Sequence, residues 1–532
     1  MTPTHRPRVS AHALACALTL ALALTACGPR AALYELTEPG GALHTPTNTC
    51  EAYTPPKSKL RLPELLSAVS AGRGEDETGV YVIEDGGGAL AARGWLTREA
   101  TQSIDIQYFI FSSDHVGLIA LQELISAARR GVRVRLIVDD LLYDGDAEIL
   151  LAANAVENLE VRIYNPTINV GRSVPGQLLS LAADFRAANQ RMHNKTFIVD
   201  REVVITGGRN VADEYFDFSL DYNFRDRDLL LVKGAAREVG ASFDTYWSHP
   251  LVVPIKELLD PQEPALRERI LTQLARLTCD PVRFWPEVHE RIARVPETFA
   301  RATERGRLEW VKGARFVWDP PGKNKGDQGL QGGGVTTSAL IALVEGARRS
   351  VVIQTPYLVT TELSQGLFER AVKRGVQVQI ITNSLQSTDN YPAFAGYRAD
   401  RERLLEIGVE LYEARPTSPP WVDLLTSALS ERQKASGRLP MVGLHAKSMV
   451  VDGETLMVGT FNLDPRSAHL NTECVVIARS VSLAEGVLGH LRREMAPEAA
   501  WRVSLEANGD SAASWGQRWR AFWGRPVPKS IL

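Results

Sequence analysis

Cysteine is scarce in this sequence, with 5 residues in 532. No two cysteines have the paired spacing of a zinc site, so the sequence predicts no metal centre of that kind. The chain also lacks a basic excess: its formal net charge is −3, which counts against a dedicated nucleic-acid-binding protein. No apolar run is long enough to predict a transmembrane helix, and no glycine-rich stretch has the spacing of a phosphate-binding loop.

The composition is that of a soluble globular protein, with 44% hydrophobic and 23% charged residues. A chain of 532 residues exceeds what one core usually organises, so we expect two large domains or two halves of one.

The N-terminus has the pattern of an export signal. Basic residues in the first eight positions precede the short apolar run "ALACALTLALALTAC". That run ends in "LTAC", which resembles the lipobox of bacterial lipoproteins, so residues 1–26 are expected to be removed and Cys27 to receive lipid. Gly28 after the cysteine then implies the periplasmic face of the outer membrane, and plain secretion is the alternative.

The other cysteines of the mature chain are Cys50, Cys279 and Cys474. An exported compartment permits a disulfide, and Cys50–Cys279 is the favoured pair. Cys474 lies in the apolar run "CVVIA" and is expected to be a buried thiol.

The chain contains an internal repeat. "SIDIQYFIF" is followed by a helical pattern and "RRGVRVRLIVDDL", and "SVVIQTPYL" is followed by a helical pattern and "KRGVQVQIITNSL". Gly131 and Gly375 stand where each helix should end. Two strands joined by a helix predict a βαβ unit with parallel pairing, so we expect a duplicated α/β domain.

A motif of polar residues repeats within the two halves. The octapeptide "HNKTFIVD" is matched by "HAKSMVVD" 252 positions later, and the register continues into "GGRN" and "GTFN". On a strand, residues two apart point to the same face, so each copy presents a histidine beside a lysine. The repeated residues are His193, Lys195, Asp200 and Asn210 in the first copy, and His445, Lys447, Asp452 and Asn462 in the second.

This pair of motifs suits the chemistry of a phosphodiester. Lysine and asparagine side chains can bind the nonbridging oxygens, where charge builds up in the transition state. One histidine can attack phosphorus while the other moves protons to and from the departing and incoming oxygens. The two copies together therefore predict one active site that needs both halves.

The doubled motif resembles that of the phospholipase D superfamily, over about residues 76–500. Thr460 is a mild departure from the motif of that superfamily, in which serine or glycine is common at this position. The resemblance implies α-β-α sandwich domains with mixed, largely parallel sheets that face each other about a pseudo-twofold. It also implies a phosphohistidine intermediate without metal or cofactor, with His193 as nucleophile and His445 as acid and base.

In that superfamily a carboxylate beyond the motif orients each histidine. The matching positions are Asp226 and Glu473, with Asp228 as a rival to Asp226. The motif residues Asp200 and Asp452 are grouped with the catalytic candidates, but a structural role is weighed equally. Glu214 is a further candidate for the cavity wall.

The flanking sequence, including "NLDPRSAHLNTE", resembles the bacterial cardiolipin-synthase branch, which implies a phosphatidyltransferase acting on phospholipids. We expect the protein to be a monomer. Phe394 stands where that branch often has histidine, which puts the acceptor in question. The alternatives are a hydrolase releasing phosphatidic acid, an exported phosphodiesterase or nuclease, and a scaffold without activity.

The C-terminal stretch "SWGQRWRAFWGRPVPK" predicts a helix with four aromatic residues on one face and basic residues beside them. Such a face suits a membrane surface, although an aromatic helix closing the core is the alternative. The sequence thus divides into six segments: a signal peptide (1–26), a lead-in (27–75), a first half (76–235), a helical connector (236–312), a second half (313–500) and an aromatic, basic C-terminal segment (501–532).

Overall fold

The computed structural model describes residues 61–140, 147–166, 189–277, 286–323, 332–423, 425, 437 and 441–532. The signal peptide, Cys27 and the proposed Cys50–Cys279 pair lie outside these residues. None of the helices in the described ranges is both long and apolar enough to cross a bilayer.

The first half and the segment after it alternate between strands and helices. The first half consists of α1 (Leu62–Ser70), β1 (Glu77–Ile83), α2 (Gly86–Glu99), β2 (Ser103–Tyr108), α3 (His115–Arg129), β3 (Arg133–Asp139), α4 (Ala147–Asn154), β4 (Leu159–Tyr164), β5 (Thr196–Val199), β6 (Val203–Gly207), β7 (Asn223–Arg225) and β8 (Asp228–Val232). The connector consists of α5 (Ala235–Trp247), β9 (Val252–Pro254), α6 (Pro264–Leu277), α7 (Pro286–Glu304) and β10 (Glu309–Lys312).

The second half repeats this alternation and ends in an additional helix. It consists of β11 (Arg315–Trp318), α8 (Val335–Gly346), β12 (Ser350–Gln354), α9 (Glu362–Lys373), β13 (Gln377–Asn383), α10 (Tyr391–Ile407), β14 (Glu410–Ala414), α11 (Pro419–Val422), β15 (Val442–Leu444), β16 (Ser448–Val451), β17 (Thr455–Gly459), α12 (Pro465–His469), β18 (Cys474–Arg479), α13 (Val481–Glu494), β19 (Ala500–Arg502) and α14 (Trp515–Gly524).

The strands form two large sheets, which confirms the duplicated α/β fold. One sheet has the order β10-β1-β8-β6-β5-β2-β3-β4-β9, and the other has the order β11-β18-β17-β16-β12-β13-β14-β19. In each half a helix links two parallel strands, β2 to β3 through α3 and β12 to β13 through α9. Both helices end at a glycine with positive φ, +94° at Gly131 and +84° at Gly375, as the repeat predicts.

The expectation of largely parallel sheets is wrong. Parallel pairing is confined to β2-β3-β4 in one sheet and β12-β13-β14 in the other, and the remaining neighbours pair antiparallel. The physical reason is the connections: β5 and β6 are joined by a short turn, and a turn of that length can only return the chain antiparallel. The connector likewise differs from a purely helical segment, because β9 and β10 are the two edge strands of the first sheet.

The two sheets pack against each other through their central strands. One cluster of buried side chains joins Leu229 and Leu231 of β8 to Leu456 and Val458 of β17. Cys474 at the start of β18 belongs to this cluster and is a free, buried thiol, as predicted. The ends of these central strands therefore come from both halves and meet at one place.

The contacts across the interface have twofold character. Leu444, directly before His445, pairs in parallel with Arg225, directly before Asp226. Met192, directly before His193, makes the equivalent parallel bridge to Thr472, directly before Glu473. Each histidine-bearing segment is thus hydrogen-bonded to the carboxylate-bearing segment of the other half.

Candidate active site

The two motif copies lie together between the sheets. Each begins just before a strand, β5 in the first half and β16 in the second, where the chain is extended. His193 and His445 are 6% and 4% exposed, and Lys195 and Lys447 are 1% exposed. Burial of four titratable groups in one place is costly unless each has a partner, so their contacts define the site.

Each histidine is hydrogen-bonded to a carboxylate from the opposite half. His193 Nδ1 lies 2.8 Å from Glu473 Oε2, and His445 Nδ1 lies 2.6 Å from Asp226 Oδ2. The main chain also links the two halves here, because His193 N donates to the carbonyl of Thr472. A carboxylate on Nδ1 fixes the ring orientation and leaves Nε2 to react.

The two carboxylates differ in their electrostatics. Burial raises the pKa of Glu473 to about 7, although Lys195 and Lys323 oppose the shift. Burial would also raise the pKa of Asp226, but the interaction and hydrogen bond with His445 and the charge of Lys447 outweigh it and hold the pKa below its ordinary value. The two halves are therefore related in geometry but not in charge.

The residue after the motif glycine also differs between the two halves. In the first half a Cβ on Gly208 would lie 2.0 Å from Asp226 Oδ1, so only glycine fits there. In the second half the equivalent Thr460 fits, and its hydroxyl donates to Glu473 Oε2, the oxygen that also contacts His193. Thr460 therefore contacts the orienting carboxylate, and its hydrogen bond opposes the rise in the pKa of Glu473.

The lysines lie beside the histidines and have lowered pKa values. Lys195 Nζ donates to the carbonyl of His193 at 2.8 Å, and Lys447 Nζ lies 2.9 and 3.0 Å from the two ring nitrogens of His445. Burial and the charge of Lys447 lower the pKa of Lys195 to about 7, and burial lowers that of Lys447 to about 8. An anion bound here would restore the protonated form of both, so the site is suited to a phosphate.

Both imidazoles have pKa values below the ordinary value of histidine, which favours the neutral form. Burial, followed by the charges of Lys195 and Lys447, lowers the pKa of His193 well below its ordinary value. Burial and Lys447 lower the pKa of His445 to about 3, although Asp226 opposes the shift. A neutral imidazole is the form that can act as a nucleophile.

The motif asparagines lie at the edge of the site with different contacts. Asn210 Nδ2 donates to the hydroxyl of Tyr215 at 3.0 Å, and Asn210 Oδ1 accepts from the amide of Ile110. Asn462 is 5% exposed, and its side-chain oxygen has no hydrogen-bond partner among the described residues. Because amide oxygen and nitrogen can be exchanged by rotation, Asn462 retains a free donor or acceptor for a ligand.

The motif aspartates point away from this chemistry. Asp200 accepts hydrogen bonds from the backbone amides of Thr101, Gln102 and Ser103 at 2.7–2.9 Å. Asp452 makes the equivalent contacts to residues 348–350 and, like Asp200, has a positive φ. Both therefore tie a turn to the start of a neighbouring strand, and these contacts support the structural role over the catalytic one.

The remaining carboxylate candidates separate clearly. Asp228 is paired with Arg93 at 2.9 Å and Arg209 at 3.3 Å, so Asp226 is the residue that contacts the histidine. Glu214 is half-buried in the 3₁₀ turn Asp213–Tyr215, whose tyrosine ring packs on His445.

Aromatic rings that the sequence analysis does not identify complete the site. Phe109 makes an edge contact with His193 at 5.0 Å between centroids, and Tyr215 makes one with His445 at 5.0 Å. Phe224 packs on His445 at 4.9 Å. These rings restrict the imidazoles and exclude water around them. The aromatic-rich run "EYFDFSL" is a sequence signal that could have suggested one of them, Tyr215.

A polar pair, Tyr357 and Asp389, also borders the site and is not identified by the sequence analysis; the charge of Asp389 acts on Lys447. Tyr357 donates its hydroxyl to Asp389 Oδ2 at 2.7 Å, and Asp389 is exposed to solvent. Asn383 holds the same segment against the second motif, because its amide bonds both the carbonyl and the N–H of Leu444. Phe394, the residue at the variable position, is 3% exposed in the second-half core.

Known proteins are similar to this chain in sequence. The family described as "Cardiolipin synthase, PLD-like domain" matches residues 96–247 and 340–495. Cardiolipin synthase C of Escherichia coli is 32% identical over 454 residues, which cover 84% of this chain and 91% of that protein. An uncharacterized protein of Helicobacter pylori is 31% identical over 424 residues, covering 80% of each chain.

A solved structure has a similar fold. The crystal structure of phosphatidylserine synthase from Haemophilus influenzae superposes with a TM-score of 0.57 at 14% identity, covering 85% of this chain and 95% of that one. At that identity the likeness extends to the fold alone.

Proposed function

Since the chain belongs to the phospholipase D superfamily and carries cardiolipin synthase-like domains, we propose that it is a phosphatidyltransferase acting on membrane phospholipids. The observation that carries this proposal is the pair of buried histidines, each held by a carboxylate of the other half, with two lysines of lowered pKa beside them. That arrangement can bind an anionic phosphorus group and divide its transfer into two steps.

In the first step, His193 Nε2 attacks the phosphorus of one phospholipid. The bond from phosphorus to the headgroup oxygen breaks, and His445 Nε2 protonates that oxygen so that it leaves as an alcohol. His445 needs a proton for this role. Burial and the repulsion from Lys447 keep its pKa low, and the negative charge of the bound phosphodiester opposes both. The product is a phosphatidyl group on His193.

In the second step, the neutral His445 takes the proton from an incoming hydroxyl. The resulting oxygen attacks phosphorus, the phosphorus–nitrogen bond breaks, and His193 is regenerated. When the hydroxyl belongs to phosphatidylglycerol the product is cardiolipin. The similarity to a protein named cardiolipin synthase C supports that product.

The test is an assay of the purified protein with mixed vesicles of phosphatidylethanolamine and phosphatidylglycerol, with lipid products identified by mass spectrometry. Wild type should form cardiolipin, and His193→Ala and His445→Ala should each abolish it. Equal amounts of cardiolipin from wild type and His193→Ala would refute the proposal. Phosphatidic acid as the sole product would replace transfer with hydrolysis, and cleavage of single-stranded DNA without lipid turnover would favour a nuclease.

A further inference from the structure

Helix α14 carries an exposed aromatic surface. Trp515 is 78% exposed, and Trp519, Phe522 and Trp523 are 53%, 54% and 58% exposed. Among the described residues, the large hydrophobic side chains that are exposed include no other aromatic residue. We call these four residues the aromatic face. Their exposure excludes the alternative that the helix closes the core.

The packing of the helix explains why its aromatic residues point outward. The opposite side of α14 consists of the small residues Ala521 and Gly524, which are buried, and the half-buried Gln517. A Cβ on Gly524 would lie 2.9 Å from the Cα of Pro392, so the helix backbone lies directly against the start of α10. No large side chain fits on that side, and the aromatic face is therefore fixed by the fold.

The segment under α14 is also part of the wall of the active site. Gln517 Nε2 donates to the carbonyl of Gln386 at 3.1 Å, three residues before the exposed Asp389. After α14 the chain returns to helix α12, just beyond the second motif, where Arg466 N donates to the carbonyl of Leu532. The charge of Arg466 is one of those that lower the pKa of His193. The aromatic face is thus supported by elements that border the active site.

Positive charges lie on both sides of the aromatic face. Arg518 and Arg520 are exposed and, at about 100° per residue, fall on opposite flanks of it. Arg525 is exposed and stacks on Phe522 at 5.2 Å. Exposed tryptophan beside arginine fits the headgroup layer of a membrane, where the rings lie at the boundary with the acyl chains and the cations meet phosphates.

We propose that the aromatic face docks into the headgroup layer of a membrane containing anionic phospholipid and so holds the active site at the lipid surface. This docking would give the proposed transferase access to a substrate in the bilayer, so its role rests on the proposed function. The binding itself can be measured without turnover.

Flotation with vesicles tests the binding. The full chain carries Cys27→Ser so that no lipid anchor contributes, and the vesicles contain phosphatidylcholine with or without phosphatidylglycerol. Replacing Trp519 and Trp523 by serine should weaken binding by about tenfold or more. The matched control replaces Val481 and Leu363 by serine. These residues are 60% and 53% exposed and lie outside α14, so the control should bind like the parent. Equal binding by the tryptophan variant and the parent would overturn the proposal.

The arginines beside the aromatic face provide a second test of membrane binding. Arg518→Gln and Arg525→Gln should each weaken binding about fivefold on vesicles with phosphatidylglycerol and little on phosphatidylcholine alone. A parent protein that is a dimer in solution and becomes monomeric on Trp519→Ser, with unchanged vesicle binding, would assign the surface to a second copy instead.

Turnover separates the two proposals. The tryptophan variant should lose activity on vesicles but keep activity on a monomeric short-chain phospholipid. Loss of activity on both substrates would place these residues in the fold or the chemistry and contradict docking. A parent that binds vesicles but turns over neither substrate would refute the proposed function while leaving the docking surface in place.

Discussion

The crossed pairing of histidines and carboxylates predicts that each carboxylate supports a different chemical step. Glu473→Gln removes the carboxyl group behind His193, and Asp226→Asn removes the carboxylate behind His445, each with little change in shape. A hydrogen bond to a charged group contributes about 1.5–3 kcal/mol. Its loss therefore corresponds to about 10- to 150-fold in rate for the step concerned.

A substrate with an activated leaving group separates the steps. Release of p-nitrophenol from phosphatidyl-p-nitrophenol needs no proton from His445, so formation of the phosphohistidine depends on His193 alone. Asp226→Asn should release a burst of about one equivalent of p-nitrophenol per active site and then turn over slowly. Glu473→Gln should release p-nitrophenol slowly from the start, without a burst.

The control is Glu485→Gln, since Glu485 is an exposed residue paired with Arg492 and should behave as wild type. Thermal unfolding of each variant checks that the fold is retained. A burst in Glu473→Gln but not in Asp226→Asn would reverse the roles of the two histidines. Equal slowing of both phases in both variants would refute the division of labour altogether.

Three further outcomes follow from the contacts in the site. Because the pKa values of Lys195 and Lys447 are lowered to about 7 and about 8, their positive charge is lost as the pH rises through that range. Binding of vanadate, measured by calorimetry, should therefore weaken from about pH 7 to about pH 9, and at the higher pH it should take up protons. Gly208→Ala should abolish turnover while the protein stays folded, because the new Cβ would displace Asp226. Asp452→Ala should lower the free energy of unfolding by about 1–3 kcal/mol in denaturant melts, with kcat nearly unchanged, because it removes hydrogen bonds to a turn and no contact to the chemistry.

The sequence predicts the architecture well where the signal is local or repeated. The strand–helix–glycine–strand pattern gives both βαβ units, and the glycine positions mark the helix ends. The pattern says less about the other strands, because a short apolar run can pair in either direction. Their antiparallel pairing depends on turn lengths and on the edge strands β9 and β10, which come from a segment that looked helical.

The outward face of α14 shows a second limit of sequence reasoning. The spacing of the aromatic residues predicts that they share one side of a helix, but a core-facing and a solvent-facing stripe have the same spacing. What decides between them is the other side, where Ala521 and Gly524 allow the close approach to α10. Two small residues are a weak signal until the neighbouring helix is in place.

The pairing of the histidines required tertiary structure for a different reason. The motifs repeat at an interval of 252 positions, whereas Asp226 and Glu473 lie 247 apart, so the two halves diverge between motif and carboxylate. Asp226 and Glu473 could be identified from the sequence. Their positions downstream of the motifs do not show that each one pairs with the histidine of the other half. The crossing arises because each motif segment forms a parallel pair with the opposite carboxylate segment. Neither half can then orient its own histidine, and the unequal environments of Asp226 and Glu473 can give two similar histidines different roles.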